Sequence, residues 1–146
     1  MRAENSRPIL VSVADNFTKA ERSRIMAAIH SRGNKATELT LAKLFRAAGI
    51  KGWRRHIAIP GRPDFVFAKQ RVAIFVDGCF WHGCAKHCRM PASNRKYWLQ
   101  KIERNKQRDL ATRKILRAKG WRVLRVWEHE LKTQPTRAIT RISRWL

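Results

Sequence analysis

Acidic residues are scarce in this chain. Its 146 residues include only 10 Asp and Glu against 33 Lys and Arg, which gives a formal net charge of +23 at pH 7. A protein that repels itself this strongly usually works against a polyanion. Nucleic acid is the leading candidate for that polyanion, and an anionic membrane surface is the second.

Long apolar runs are also missing. No run reaches 18 apolar residues, which excludes a transmembrane helix. The segment 7–14 is too short, and is interrupted too soon by Asp15, for a signal peptide. Hydrophobic residues still make up 44% of the chain. This length and composition predict one globular domain over residues 18–146, preceded by a loose N-terminal arm over residues 1–17.

The apolar periodicity predicts a mixed α/β fold with helices on both faces of the sheet. The element order is expected to be α-α-β-β-β-loop-α-β-α. The predicted helices begin at the Thr18–Glu21 capping box, cover residues 39–48 and 94–119, and follow Pro135. The predicted strands include an apolar run at 57–59 before a Pro-Gly turn, and the segments 64–67, 72–76 and 121–127.

The three cysteines lie within ten residues of one another, in a segment without helical or strand periodicity. An odd number of clustered cysteines argues against a disulfide framework and for free thiols or a metal site, in keeping with a reducing cytoplasm. Zinc prefers four thiolate or imidazole ligands. We expect a structural zinc site, with Cys88 as an alternative ligand to the favoured set of Cys79, Cys84, His87 and His129. The other interpretation is a loop with ordinary buried thiols and a surface histidine.

Two of the few acids flank neighbouring predicted strands. Asp64 begins one strand and Asp77 ends the next, so a tight antiparallel turn would place them opposite each other across the ladder. Mg²⁺ usually takes one or two carboxylates and completes its octahedron with water and phosphate. The pair therefore predicts a magnesium site at this edge of the sheet.

Three further side chains are candidates for chemistry. His82 follows Asp77 closely and would move a proton near the metal, although it could also be another histidine beside the zinc. Glu38 lies on a predicted helix, and Asp109 shares one helical stripe with Trp98 and Asn105. Both acids could instead be structural carboxylates paired with arginines.

Basic and aromatic residues alternate around the loop and the long helix. Phe80, Trp81 and Trp98 could stack on bases or insert between them, although Phe80 and Trp98 could also be core residues. The polar and basic residues expected to contact DNA are Arg95, Lys96, Lys101 and Asn105.

An ordered series of motifs covers residues 18–132. It includes Pro-Gly-Arg-Pro-Asp at 60–64, Ile-Phe-Val-Asp-Gly-Cys-Phe-Trp-His at 74–82, and Gly-Trp-Arg-Val-Leu at 120–124. The series resembles the very-short-patch repair (Vsr) endonucleases. The string Gly-Cys-Phe-Trp-His after an apolar strand is the most specific part of this resemblance.

The resemblance implies a restriction-endonuclease-like fold with a structural zinc. It also implies Mg²⁺-dependent nicking of duplex DNA at T:G mismatches, which arise when 5-methylcytosine deaminates. By motif match, Asp64 would be the principal Mg²⁺ ligand, His82 a catalytic histidine and Glu38 a helper acid. Asp109 would be an orienting acid, and the three aromatic residues would form a wedge at the mismatch.

The sequence departs from the family pattern at three positions. Asp77 stands where that pattern has a histidine, Cys84 replaces a histidine ligand, and His129 replaces a cysteine. The expected partners are mismatched double-stranded DNA and the mismatch-repair machinery, with the protein acting as a monomer. Two alternatives are a zinc-containing nucleic-acid-binding protein without catalysis and a nuclease of the same fold with a non-mismatch DNA substrate.

Overall fold

The computed structural model describes residues 18–20 and 37–146. Lys19 and Ala20 are helical, as the capping box predicts. The rest of that predicted helix and the predicted N-terminal arm lie outside the described residues. Within the described part of the chain, no helix combines the length and the apolar character needed to cross a membrane.

The described elements form one sheet with helices around it. The helices are α1 (Glu38–Ala47), α2 (Arg95–Ala118), α3 (Glu128–Thr133) and α4 (Pro135–Ser143). The strands are β1 (Trp53–Arg55), β2 (Phe65–Phe67), β3 (Val72–Asp77) and β4 (Arg122–Trp127). The predicted mixed α/β class is confirmed, as are the predicted positions of β2, β3, β4 and the long helix.

The sheet has the strand order β1-β2-β3-β4. The first three strands are antiparallel neighbours, and β4 adds to β3 in parallel. A parallel neighbour requires a crossover connection, which the long helix α2 supplies. This topology brings the end of β3 beside the end of β4, where Asp77 pairs with Trp127.

Both faces of the sheet are covered. One face carries the larger core, in which Phe45 of α1 and Ile142 of α4 pack with Phe65, Ile74 and other residues that alternate along the strands. The opposite face holds a smaller core of Ala73, Phe75, Leu116 and Val123. A strand covered on both faces has no solvent side, so every residue of β2 and β3 is buried.

Three predictions about local structure are wrong. The first strand is Trp53–Arg55 rather than residues 57–59, because His56 adopts a positive φ of 57° that ends the extended run. The short helix α3, which begins directly after β4, was not expected. The register pairs Phe65 with Ile74, so Asp64 falls opposite Phe75 and not opposite Asp77.

Candidate active site

A cavity of about 860 Å³ opens where β3 ends. The elements that border it are far apart in sequence, since they include the start of α1, the residue before β2, the end of β3, the loop after β3 and the middle of α2. The structure thus brings together all five side chains predicted for catalysis, which are Glu38, Asp64, Asp77, His82 and Asp109.

Asp64 is held against the backbone of β3. The Val76 N–H donates a hydrogen bond to Asp64 Oδ2 at 2.7 Å. Burial raises the pKa of Asp64 to about 7, an effect that the Val76 hydrogen bond opposes and the hydrogen bond and negative charge of Glu38 reinforce. Among the described residues, Asp64 has no cationic side chain in an ion pair, so its charge has no permanent counterion.

Glu38 shares this corner of the cavity. It is the first residue of α1 and is buried, and its carboxylate forms a close ion pair with Arg55 of β1. His56 Nε2 lies 3.9 Å from the same Glu38 oxygen. Sequence reasoning did not identify Arg55 or His56 as partners of this acid, because the pairing depends on where β1 begins and ends.

His82 lies between two carboxylates. Its Nδ1 is 2.6 Å from Asp109 Oδ2, and its Nε2 is 3.7 Å from Asp77 Oδ1. The Nδ1–Asp109 contact is short enough for a charge-assisted hydrogen bond, which fixes the orientation of the ring. The second ring nitrogen, Nε2, is then the one that can exchange a proton in the cavity.

Arg125 closes a ring of four side chains with these residues. Its two terminal nitrogens lie 3.0 Å from Asp77 Oδ2 and 3.1 Å from Asp109 Oδ1. Burial raises the pKa of Asp77, while the charges of His82 and Arg125 act in the opposite direction. Sequence reasoning missed Arg125, because its contact with Asp77 depends on the parallel register of β3 and β4.

The predicted cysteine and histidine ligands form a second group. Cys79 Sγ and Cys84 Sγ lie 3.3 Å and 3.6 Å from His129 Nδ1, and Cys84 Sγ lies 3.7 Å from His87 Nδ1. The four donor atoms all lie within 4.8 Å of one another. Cys88 is outside the group, because its Sγ contacts the Phe80 carbonyl oxygen at 3.6 Å.

The donor spacing fits a tetrahedral metal. Zinc binds thiolate sulfur at about 2.3 Å and imidazole nitrogen at about 2.0–2.1 Å, which separates neighbouring ligand atoms by roughly 3.3–3.8 Å. The three sulfur–nitrogen separations of 3.3, 3.6 and 3.7 Å fall in this range. Two of the four donors, Cys79 and Cys84, are buried thiols of a loop that otherwise has few buried apolar side chains.

An aromatic cluster lies beside the cavity. The ring centroids of Phe80 and Trp81 are 5.1 Å apart, and those of Phe80 and Trp98 are 5.4 Å apart. Trp98 is buried, whereas Phe80 and Trp81 are partly exposed and line the cavity. Lys101 Nζ lies 5.5 Å from the centroid of the Trp81 ring, which places a cation over the exposed aromatic surface.

Helix α2 positions the loop that carries Trp81 and His82. Asn105 Nδ2 donates a hydrogen bond to the Trp81 carbonyl oxygen at 2.8 Å, one helical turn from Asp109. The predicted stripe along this helix is confirmed, since Trp98, Asn105 and Asp109 all face the loop or the core. Arg95 and Lys96 are exposed in the first turn of the helix.

The chain is similar in sequence to known DNA endonucleases. The sequence profile of the family described as "DNA mismatch endonuclease Vsr" matches residues 14–90. A DNA mismatch endonuclease Vsr from Escherichia coli (strain K12) is 42% identical over 123 residues, which cover 82% of this chain and 77% of that protein.

Two further relatives carry a different description. The type II nicking enzyme V.NaeI from Lentzea aerocolonigenes is 42% identical over 116 residues, or 76% of this chain and 69% of that protein. The type II nicking enzyme V.NmeDIP from Neisseria meningitidis serogroup C is 40% identical over 124 residues, or 84% of this chain and 83% of that protein.

The ring of charges around Arg125 predicts a strong stability effect. Replacing Arg125 with Met leaves the buried Asp77 carboxylate without its cation, and we expect a loss of roughly 3–5 kcal/mol in the free energy of unfolding. The double variant Arg125→Met/Asp77→Asn removes both charges and should recover much of that loss. Urea unfolding of both variants tests this prediction. A double variant no more stable than the single one would show that Arg125 stabilises the fold through contacts other than the one with Asp77.

The pKa of Asp64 predicts a pH-dependent stability in Mg²⁺-free buffer. Its carboxyl titrates near 3.8 without the protein environment and at about 7 in the folded chain. Its contribution to stability is therefore fully present below about pH 4 and is lost as the pH rises to about 7. Asp64→Asn stays neutral, so its stability relative to wild type should increase over this window, by at most about 1.4 kcal/mol per pH unit.

The control for this measurement is Glu103→Gln, which removes one exposed carboxylate on α2. Urea unfolding between pH 5 and pH 8 should show the rising difference for Asp64→Asn alone. If the difference in unfolding free energy between Asp64→Asn and wild type does not change with pH, the raised pKa of Asp64 is contradicted.

Proposed function

Because the chain belongs to the Vsr family of DNA mismatch endonucleases, we propose that it nicks duplex DNA at T:G mismatches in an Mg²⁺-dependent reaction. Because the chain is a DNA endonuclease, a nucleic-acid-binding protein without catalysis is excluded. The specificity for T:G mismatches and the dependence on Mg²⁺ are what we propose. The observation that carries the proposal is the cavity, in which acids and His82 lie directly beside an exposed aromatic pair.

The donor set of the cavity fits Mg²⁺. Mg²⁺ takes hard oxygen ligands, and Asp64 and Asp77 supply carboxylate oxygens from the edge where β2 begins and β3 ends. Asp64 is the better candidate for principal ligand, because Asp77 is already paired with Arg125 and Glu38 with Arg55. When bound, Mg²⁺ would polarise the scissile phosphate and stabilise the charge that develops on it.

His82 is the residue best placed to move a proton. The Asp109 carboxylate holds Nδ1, so Nε2 faces the cavity and can take the proton of an attacking water. Asp109 is itself fixed by Arg125, which limits rotation of the whole ring of charges. Glu38 would act through its contact with Asp64, as a helper acid whose position depends on Arg55.

The aromatic cluster supports recognition of a mismatch. Phe80 and Trp81 expose ring surface beside the reaction centre, and the buried Trp98 backs them. Inserting a ring between base pairs costs unstacking energy, and this cost is lowest at a mispaired step. Lys101, Arg95 and Lys96 would contact the backbone phosphates around that step, while Asn105 would act by holding the Trp81 loop.

We further propose that the cysteine–histidine cluster binds a structural zinc. The cluster joins the loop after β3 to the start of α3 through Cys79, Cys84, His87 and His129. Four protein ligands leave no open position, which is typical of structural rather than catalytic zinc. The mixed sheet with this site supports a restriction-endonuclease-like fold. We also propose that the protein acts as a monomer, with the mismatch-repair machinery as a further partner.

A second candidate function is nicking of DNA in another context. The names of two relatives describe them as type II nicking enzymes, and the geometry of the cavity would serve any phosphodiester. The two functions differ in the substrate they require, because only a mismatch-specific enzyme depends on the reduced stacking of a mispaired step.

A nicking assay tests the proposed activity. Wild-type protein should nick a T:G duplex in Mg²⁺ and leave the matched duplex and the Mg²⁺-free reaction uncut. Asp64→Asn should reduce the nicking rate by at least about 100-fold, because it removes the principal ligand charge, while DNA binding is retained. Glu103→Gln is the matched control and should nick at the wild-type rate. Equal nicking of both duplexes would favour the second candidate function.

Metal analysis tests the zinc proposal with a matched pair of cysteines. Cys84→Ser should lower the bound zinc from one equivalent to well below it and destabilise the protein by several kcal/mol, because a structural zinc contributes on the order of 10 kcal/mol to folding. Cys88→Ser should retain the metal, since Cys88 lies outside the cluster. Equal zinc content in the two variants would contradict the proposed ligand set.

A further inference from the structure

A second cavity, of about 1030 Å³, borders the cysteine–histidine cluster. Its walls come from the loop after β3, from α3 and from α4. Four basic side chains define it, and we call it the basic groove: Lys86, Arg137, Arg141 and Arg144. None of these residues belongs to the active-site cavity.

Most of the positive charge in the basic groove is not neutralised. Glu130 is the acidic residue that lines it, and this carboxylate pairs with Arg141 at 2.9 Å. Arg137 donates a hydrogen bond to the neutral Gln134 Oε1 at 3.4 Å, and among the described residues it has no carboxylate in an ion pair. Within residues 37–146, Lys86 and Arg144 have no carboxylate in an ion pair, and both side chains are exposed. An anionic ligand would therefore meet three available cations.

The spacing of the arginines fits a chain of anions better than a single small one. Arg137, Arg141 and Arg144 stand at positions i, i+4 and i+7 of one helical face and its C-cap, a span of about 10 Å at roughly 1.5 Å per residue. One DNA strand carries a phosphate about every 3.4 Å along the duplex axis. The unpaired Arg137 and Arg144, at the two ends of this span, are therefore separated by about three phosphate steps of one strand, so each can contact a different phosphate.

The basic groove is joined to the active site by two chain segments. The loop after β3 places His82 in the active-site cavity and Lys86 in the basic groove. After β4, Glu128 lines the active-site cavity, and the next residue, His129, lines the basic groove. The two cavities are therefore bordered by adjacent residues, which places the basic groove close to a duplex held over the aromatic pair.

From this placement we propose that the basic groove binds the phosphate backbone of duplex DNA flanking the nicking site. The proposal rests on the proposed function for its ligand, since it extends the footprint of the same duplex. An acidic protein segment would also suit the charge, but the continuity with the active-site cavity favours the nucleic acid.

Salt dependence of DNA binding tests the proposal. Affinities are measured by fluorescence anisotropy in Mg²⁺-free buffer at several NaCl concentrations, for a duplex of about 12 base pairs and one of about 30 base pairs. Each phosphate contact contributes a slope of about 0.9 in log Kd against log salt. The triple variant Lys86→Gln/Arg137→Gln/Arg144→Gln should lower the slope by about 2.7 on the long duplex and by less on the short duplex, which offers fewer flanking phosphates.

Two controls keep the outcome specific. The variant Lys43→Gln/Lys51→Gln/Lys69→Gln makes the same change in charge at exposed lysines that line neither cavity, and its slope should stay near wild type. The double variant Arg137→Gln/Arg144→Gln leaves the zinc loop untouched and should lower the slope by about 1.8.

An unchanged slope for the groove variants on the long duplex would overturn the proposal, as would an equal loss in the lysine control. The first result would favour an acidic protein segment as the ligand of the basic groove. Because the readout is binding of long against short duplexes, it is independent of whether the wild-type protein discriminates T:G from matched DNA.

Discussion

The burial of carboxylates in one cavity is the constraint on which the rest of the site depends. Five of the ten acidic residues of this basic chain line that cavity. Arg55 and Arg125 neutralise part of this charge, and the Val76 N–H holds Asp64. The remaining negative charge would repel a phosphate group, and the divalent cation proposed above would offset that repulsion.

The candidate metal site and the candidate proton-transfer residue share a short segment of chain. The loop after β3 carries two thiols of the cysteine–histidine cluster, the aromatic pair and His82 within six residues, Cys79–Cys84. Ring contacts with Trp98 tie this loop to α2, and the cluster with His129 ties it to the start of α3. The cysteine–histidine cluster, the aromatic pair and His82 therefore depend on the folding of the same loop.

Much of this arrangement could be predicted from the sequence, because its signals are local. Apolar runs define β2 and β3, and the stripe of α2 places Asn105 and Asp109 toward the loop. The grouping of Cys79, Cys84, His87 and His129 could be predicted from their spacing and donor type. The partner of the acids could not be predicted, since Arg125 reaches Asp77 through a parallel strand pair 48 residues away. The residue opposite Asp64 likewise depends on how β2 and β3 pair, which the length of the turn between them does not determine.

Helix α2 also fixes the distance between the aromatic cluster and the partner of His82. Trp98 in the aromatic cluster and Asp109 at His82 are eleven residues apart on one rigid element, or about 16 Å at 1.5 Å per residue. A single inserted residue between them would rotate one contact by about 100° relative to the other. Relatives that keep this chemistry should therefore vary in sequence on the outer face of the helix while showing no insertions or deletions within it.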